Sequence, residues 1–394
     1  MKNENLFQQA LFVLRKATIE QGILALVEDQ ENYKRVWSRD ASIAGIAGLM
    51  AGDEVIIKGL RASMLTLADA QAETGAIPSN VNPDTRKASY GSLAGRVDAT
   101  TWWLIASAIY SRHTQDETFL EKIKPHVVKA FAVLRAWEFN ERHLLYTPLS
   151  GNWADEYPLH GYLLYDNCLR LWALKSWNIL MPNEAFESKI SEVEKAIVVN
   201  FWATKDSTEL YHPKLQTKED PDFWLAGFHP GGPYTGIFDA AGNAFACLLG
   251  LGDESQNSKL YYYLNGVADN MGNYLIPAFW PAIQEGDPLW RDIANNFAYH
   301  FKNKAHHFHN GGSWPVMAGW LILALKLSGI NQNFDVWQAA CEPYLQDDAY
   351  PFPEYINTKD FKAGGKCNLS FSAAGYILMS METSEKTKEK LCLI

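Results

Sequence analysis

Apolar residues recur at three- and four-residue spacing along nearly the whole chain. The spacing predicts helices near 4–28, 39–51, 53–72, 97–114, 117–138, 160–179, 183–203, 238–250, 254–269, 287–301, 313–328, 333–345 and 368–383. No run alternates apolar and polar residues convincingly enough to predict a strand. Asp53, Asp98 and Asn333 read as caps at helix starts, and Gly250 and Gly329 as stops. The connections between these helices also alternate. Long, aromatic, glycine-rich ones ("AETGAIPSNVNPDTRKASYGSLAG", "YTPLSGNWADEYPLHG", "KAHHFHNGGSWP") follow roughly every second helix, whereas "AGDE", "SRHTQDE", "GLGDES" and "SGINQN" are short and polar. A closed ring of helical hairpins has this rhythm, with the long loops on one rim and the tight turns on the other. The expected fold is therefore all-α, an (α/α)6 barrel or six-hairpin toroid. No Pro/Ser-rich linker divides it, so 1–394 reads as a single domain.

Composition adds a chemical hint. Hydrophobic residues make up 47% and charged residues 20%, enough for a large core and without a disorder signature. Aromatics reach 13%, with 14 Trp and 18 Tyr, which fits either a Trp-rich helical core or a cleft where pyranose C–H faces stack on rings. The net charge of −10 argues against nucleic acid or an anionic membrane as partner. Five cysteines, odd in number and without metal-ligand spacing, read as reduced thiols. The opening "MKNENLFQQALFVLRKATIEQG" is an amphipathic helix rather than a signal peptide, and no apolar run reaches a membrane span. The expected location is cytoplasmic; oligomeric state is not legible.

Five loops carry candidate chemistry. In "YKRVWSRDASIAG", Arg39 and Asp40 follow Trp37 at a helix start; they read either as an exposed capping pair or as ligands to the hydroxyls of a sugar stacked near Trp37. In "GRVDATTWW", Asp98 is followed by Trp102 and Trp103 one turn on. Capping explains Asp98 adequately, yet a carboxyl against two indoles would hold its proton as a general acid must. "SGNWADEYPLHGYLLYDN" packs Trp153, Asp155, Glu156, His160 and Asp166 together, and of the two adjacent acids Asp155 is the one expected to face a ligand. "HHFHNGGSWP" lacks the helical pair and distant third ligand of a metal site. It reads instead as a Gly-Gly turn presenting His309, Asn310 and Trp314, and no metal is expected. In "PFPEY", Pro353 and Tyr355 fix Glu354, a carboxylate able to stay ionised and aim a water.

Taken in order, "WSRD", "RVDATTWW", "NWADEYPLHGY", "FDAAGNAFACLLGLGDES", "HNGGSWP" and "PFPEY" resemble the neutral/alkaline invertase family, glycoside hydrolase family 100. More distantly they are similar to amylo-1,6-glucosidase-like and trehalase-like enzymes of the (α/α)6 type. The resemblance runs from about Tyr33 to Ile377, and "HNGGSWP" and "PEY" are its most specific parts. It implies an inverting glycoside hydrolase with Asp98 as general acid and Glu354 as general base, two carboxyls that stand roughly 6.5–9.5 Å apart in such enzymes. It implies that Arg39, Asp40, Asp155, His309, Asn310 and Trp314 hold the sugar. Trp37, Trp102, Trp103, Trp153, His160 and Tyr355 complete the expected binding set. No cofactor is implied, because carboxyls suffice for acetal cleavage. The substrate implied is a small carbohydrate, a disaccharide or short glycoside with an α-linked glucose, such as sucrose.

The chain departs from the family where Ala99 and Thr100 replace its usual Ser-Gly, and where "WADEY" replaces its Ile-Asp-Arg-Arg. Hydrolysis is accordingly a firmer implication than sucrose. Two rivals share the fold: an epimerase of the N-acylglucosamine 2-epimerase type, with His160, His229 or His309 moving a proton at C2, and a sugar-binding protein without turnover.

Overall fold

The computed structural model describes residues 3–28 and 31–394. Fourteen α-helices lie among them: α1 Glu4–Ala17, α2 Ser38–Ala51, α3 Glu54–Ala68, α4 Val97–Thr114, α5 Glu117–Ala136, α6 Leu164–Leu180, α7 Glu184–Phe201, α8 Ala240–Leu248, α9 Glu254–Met271, α10 Trp290–Asn295, α11 Pro315–Leu327, α12 Asp335–Leu345, α13 Ser370–Met379 and α14 Glu385–Lys390. Helices α2, α4, α6, α8, α11 and α13 each pack on the next, and α13 packs back on α2. That closes an inner ring. Helices α1, α3, α5, α7 and α12 lie outside it, each against an inner neighbour. Helix α9 joins this outer layer through Tyr261, whose ring meets Trp337 of α12 at 5.2 Å. This is the (α/α)6 barrel.

The two rings differ in sequence because they differ in burial. Inner helices such as α2 ("SRDASIAGIAGLMA") and α13 ("SFSAAGYILM") are buried on nearly every face and are apolar or small all round. The outer α5 buries one stripe, Phe119, Ile123, Val127, Ala130, Val133 and Leu134, and leaves charge on the other side. Small residues let the inner helices touch. A Cβ on Gly319 of α11 would come within 2.2 Å of the Gly375 carbonyl of α13, so a side chain there would force the ring apart. Inside the ring Trp102, Trp172, Phe245 and Trp320, one from each of four successive inner helices, meet at 5.5–5.9 Å between centroids. Part of the tryptophan surplus is therefore core.

Several sequence expectations need correction. The first helix stops at Ala17 rather than near 28, because Thr18–Ile19 turns back to pair with Gly22–Ile23; residues 29 and 30 lie outside the described set. The helix expected over 287–301 forms only over α10. Strands do occur, as pairs of two or three residues, too short to leave an alternating pattern. The longest ladder joins Tyr146–Thr147, Gly161–Leu163, Gly227–His229 and Gly232–Pro233, all antiparallel. Asp53 caps α3 as expected, accepting from the N–H groups of Val55 and Ile56. Asp98 is no cap: Arg96 occupies that position and Asp98 is the second residue of α4.

The chain leaves α2, α4 and α6 through short turns and enters α4, α6 and α8 from long loops, so the inner helices open with their N-termini on one rim. Unpaired N–H groups and aligned peptide dipoles favour negative charge there. Asp40, Asp98 and Asp166 stand in the first turns of α2, α4 and α6, and Asp239 caps α8.

Candidate active site

Asp98, 1% exposed, is held from two sides. Arg39 Nη1 donates to its Oδ2 at 3.0 Å, and the Tyr165 phenol donates to the same oxygen at 3.3 Å. Tyr165 is positioned in turn by the Trp102 indole N–H at 2.8 Å. The inner aromatic cluster thus supports the carboxyl at one remove. Arg39 also pairs with Asp40 at 3.6 Å and lies 5.6 Å from the Phe371 ring centre. Burial alone would lower Arg39, but the charges of Asp98 and Asp40 outweigh it and hold the guanidinium more firmly protonated than usual. Asp40 is pushed up by burial, which Arg39 only partly offsets, and by the nearby charge of Asp98.

Glu354, 6% exposed, is held without a cation in contact among the described residues. The Tyr33 phenol donates to Oε1 at 2.7 Å and the Lys366 backbone N–H to Oε2 at 3.2 Å, while the Glu354 N–H donates to the Lys366 carbonyl at 2.7 Å. Gly365 makes this clasp feasible. Its φ is +80°, and a Cβ there would lie 2.2 Å from Glu354 Oε2. Burial pushes the Glu354 carboxyl up despite the Tyr33 bond, and the Asp40 charge adds to the rise. Asp40 thus feels the charge of Asp98 and in turn acts on Glu354, so it lies between the two carboxyls electrostatically.

The loop residues converge on the same place. Burial would raise Asp155, yet Arg96, whose Nη2 lies 2.5 Å from Oδ2, leaves it below the ordinary range. Its neighbour Glu156 has no such partner, and burial and the Asp155 charge push it up to about 7. His309, 1% exposed, is pushed down to about 3 by burial, so it stays neutral. Its ring stacks on Trp314 at 5.2 Å and meets Trp153 edge-on at 5.2 Å; Trp314 lies parallel to Tyr355 at 6.3 Å. Arg39 Nε, Asp40 Oδ2, Arg96 Nε, Trp153 Nε1, Glu156 Oε2 and His309 Nδ1 are all buried and find no hydrogen-bond partner among the described residues. So many orphaned polar atoms around two carboxyls describe a surface made to bond something else.

Other expected residues stand elsewhere. Trp102 and Trp103 are fully buried, and the Trp103 indole N–H donates to the Met64 carbonyl, so neither can touch a ligand. Asp98 is enclosed by the ring's interior and Tyr165, not by two exposed indoles. Asn310 is fully buried, its amide committed to the backbone of Ile283 and Asn303. It shapes the loop from behind. Trp37 is half-buried at the start of α2, its indole N–H donating to the Asn32 carbonyl. His160 belongs to a separate group, bonded to Tyr234 and tilted against His229 at 5.0 Å. Sequence reasoning missed Tyr33, Arg96, Tyr165 and Lys302. The first two lie within or beside quoted motifs ("YKRVWSRD", "GRVDATTWW"). Lys302 is exposed, but its charge draws Glu354, Glu156 and His309 downward, an effect with no local signature. No group of His, Cys, Asp or Glu among the described residues is arranged to hold a metal ion.

Residues 219–385 match the family described as alkaline and neutral invertase. The chain resembles the alkaline and neutral invertases. It is 24% identical over 396 residues to the probable alkaline/neutral invertase A, chloroplastic, of Arabidopsis thaliana, covering 85% of this chain and 61% of the relative. Alkaline/neutral invertase C, mitochondrial, of the same plant is 23% identical over 396 residues, covering 85% and 58%. The chain thus spans about three-fifths of the length of these two invertases. The GH63 mannosylglycerate hydrolase from Thermus thermophilus, solved with Tris and D-glycerate, superposes with a TM-score of 0.66 over 95% of this chain and 100% of its own. At 12% identity that likeness speaks for the ring fold. No helix among the described residues is long and apolar enough to cross a membrane.

Proposed function

We propose that this protein is an inverting glycoside hydrolase whose 394 residues form one catalytic unit. The observation that carries the reading is the pair of buried, differently held carboxyls, Asp98 and Glu354, on the rim where the inner helices begin. In the proposed reaction Glu354 takes a proton from water as its oxygen bonds to the anomeric carbon. Asp98 gives its proton to the glycosidic oxygen as the bond from that carbon breaks. One water is consumed, the aglycon leaves as an alcohol, and the two carboxyls exchange protons with solvent to reset. Arg39, Asp40, Asp155 and His309 supply hydroxyl ligands, and the edges of Trp153, Trp314 and Tyr355 supply the apolar wall.

The similarity to invertases supports an α-glucoside as substrate, with sucrose the first to try. Five free thiols without a disulfide fit a cytoplasmic setting. A histidine-driven epimerase is less well supported, because burial pushes His309 down to about 3, far below the range of a useful base, and His160 and His229 belong to a separate group with Tyr234. The test is a proton NMR time course with sucrose, trehalose, maltose and isomaltose. Release of β-glucose ahead of α-glucose supports inversion and names the aglycon. Release of α-glucose first contradicts inversion, and deuterium appearing at C2 of a free sugar in heavy water would favour the epimerase.

A further inference from the structure

A second cavity of about 170 Å³ lies on the four-stranded ladder, lined by Arg142, Tyr162, Tyr211, His212, Phe228, His229 and Pro230. None of these residues takes part in the site around Asp98 and Glu354. None is acidic, although the chain carries a net charge of −10. The nearest carboxylates that act on Tyr211 are already matched: Glu138 pairs with Arg170 and Lys189, and Glu209 with Lys195.

Arg142, His229 and Tyr162 bring donors to this cavity, whereas the Tyr211 phenol spends its O–H on the Arg142 carbonyl at 2.6 Å. The Arg142 guanidinium lies 5.4 Å over the Tyr211 ring and has no carboxylate partner or side-chain hydrogen bond among the described residues. Stacking fixes its plane and leaves its N–H groups free to bond. His229 Nδ1 accepts the Gly231 N–H at 3.1 Å, so the ring proton sits on Nε2, which is uncommitted. The Tyr162 oxygen accepts from Asn140 at 2.6 Å, which leaves its O–H to donate. His212 is a wall and not a donor. Its Nδ1 accepts from the Lys214 N–H, and its Nε2–H serves the Pro230 carbonyl at 3.2 Å. The remaining lining is apolar: Pro230, the Tyr211 ring, and Tyr162 against Phe228 at 5.1 Å.

Converging donors without an acid call for an anion rich in acceptor oxygens, and aromatic rings beside them call for a flat apolar face. The volume falls below the roughly 300 Å³ at which drug-sized pockets begin, which limits the guest to about one sugar ring. We propose that this cavity binds the phosphomonoester of a monosaccharide, its phosphoryl group on Arg142 and His229 Nε2 and its ring against Tyr211, Tyr162 and Phe228. The cleft and this cavity then recognise sugars by opposite means, one with carboxyls for hydroxyls and the other with a cation for a charge.

The probe is glucose 6-phosphate, titrated calorimetrically into the full chain, with inorganic phosphate and glucose as separate arms. Wild type is expected to bind glucose 6-phosphate saturably, and Arg142→Met to bind it about tenfold more weakly or worse. Arg142 is exposed, so its replacement is expected to leave the melting temperature unchanged; His229→Gln, which keeps a donor, is expected to weaken binding less. Absence of binding at millimolar glucose 6-phosphate overturns the proposal. So does equal binding by wild type and Arg142→Met, which would place the ligand elsewhere. Inorganic phosphate binding as tightly as glucose 6-phosphate would overturn the sugar half of the assignment.

Discussion

Two kinds of acid share the rim. Asp98 and Asp155 each meet a guanidinium, Arg39 at 3.0 Å and Arg96 at 2.5 Å. Glu354 and Asp239 are buried and Glu156 half-buried, with only neutral donors or none among the described residues, and burial pushes all three up, Glu156 and Asp239 to about 7. The difference lies in the partner, a guanidinium for the first kind and neutral donors or none for the second. By resemblance Asp98 should hold the proton and Glu354 should be ionised. In the free protein Asp98 is ion-paired, and Glu354 is the carboxyl that burial urges toward its neutral form. A base with a raised carboxyl works only above that value. The acidic limb of the pH–rate profile should therefore lie higher than an ordinary glutamate would give.

The largest effect expected is on turnover. Asp98→Asn and Glu354→Gln should each reduce kcat by about 10²–10⁴-fold with unchanged circular dichroism, because each removes a proton-transfer role at constant shape. Wild-type rates in either variant would dissolve the comparison. A smaller effect, on the order of tenfold in kcat, is expected of Tyr33→Phe, which removes one of two donors to Glu354. The Tyr33 bond opposes the rise of Glu354, so its loss should move the acidic limb of the profile to higher pH. A limb that stays in place would show that Glu354 does not govern it.

A separate effect, away from the chemistry, is on stability. Asp239 is fully enclosed and titrates near 7 while capping α8, whereas in the unfolded chain it titrates in the ordinary range near 3.8. The folded state thus binds the proton more tightly. Stability from this group is present in full below about pH 4 and is lost progressively as pH rises from there through about 7, at up to about 1.4 kcal/mol per pH unit within that window. Asp239→Asn keeps the cap and cannot ionise, so in urea unfolding it should gain on wild type between about pH 4 and about 7 and hold that gain above. Equal stabilities across that range would mean the carboxyl is not desolvated.

The fold was largely legible. Outer helices such as α5 announce themselves by spacing, inner ones such as α4 by a long run of apolar and small residues, and the alternation of long and short loops pointed to the ring. The misses were local. The turn after Ala17 depends on Gly22 at φ +138° beside Ser63, a contact across the fold with no signal in a helical pattern. At the site, Asp98 and Glu354 could be chosen from their motifs, but their surroundings could not. Tyr33 reaches Glu354 across 321 positions, and Tyr165 reaches Asp98 across 67. Trp102 and Trp103 misled because adjacent tryptophans look the same in a string whether they line a cleft or fill a ring.

The role of each carboxyl is tested most directly with α-glucosyl fluoride, whose leaving group departs without a proton. If Asp98 is the acid, Asp98→Asn should hydrolyse the fluoride at a rate close to wild type while failing on a natural α-glucoside, and Glu354→Gln should fail on both. If instead Glu354→Gln retains the fluoride reaction and Asp98→Asn loses it, the proton resides where burial favours it, and the assignment of acid and base is reversed.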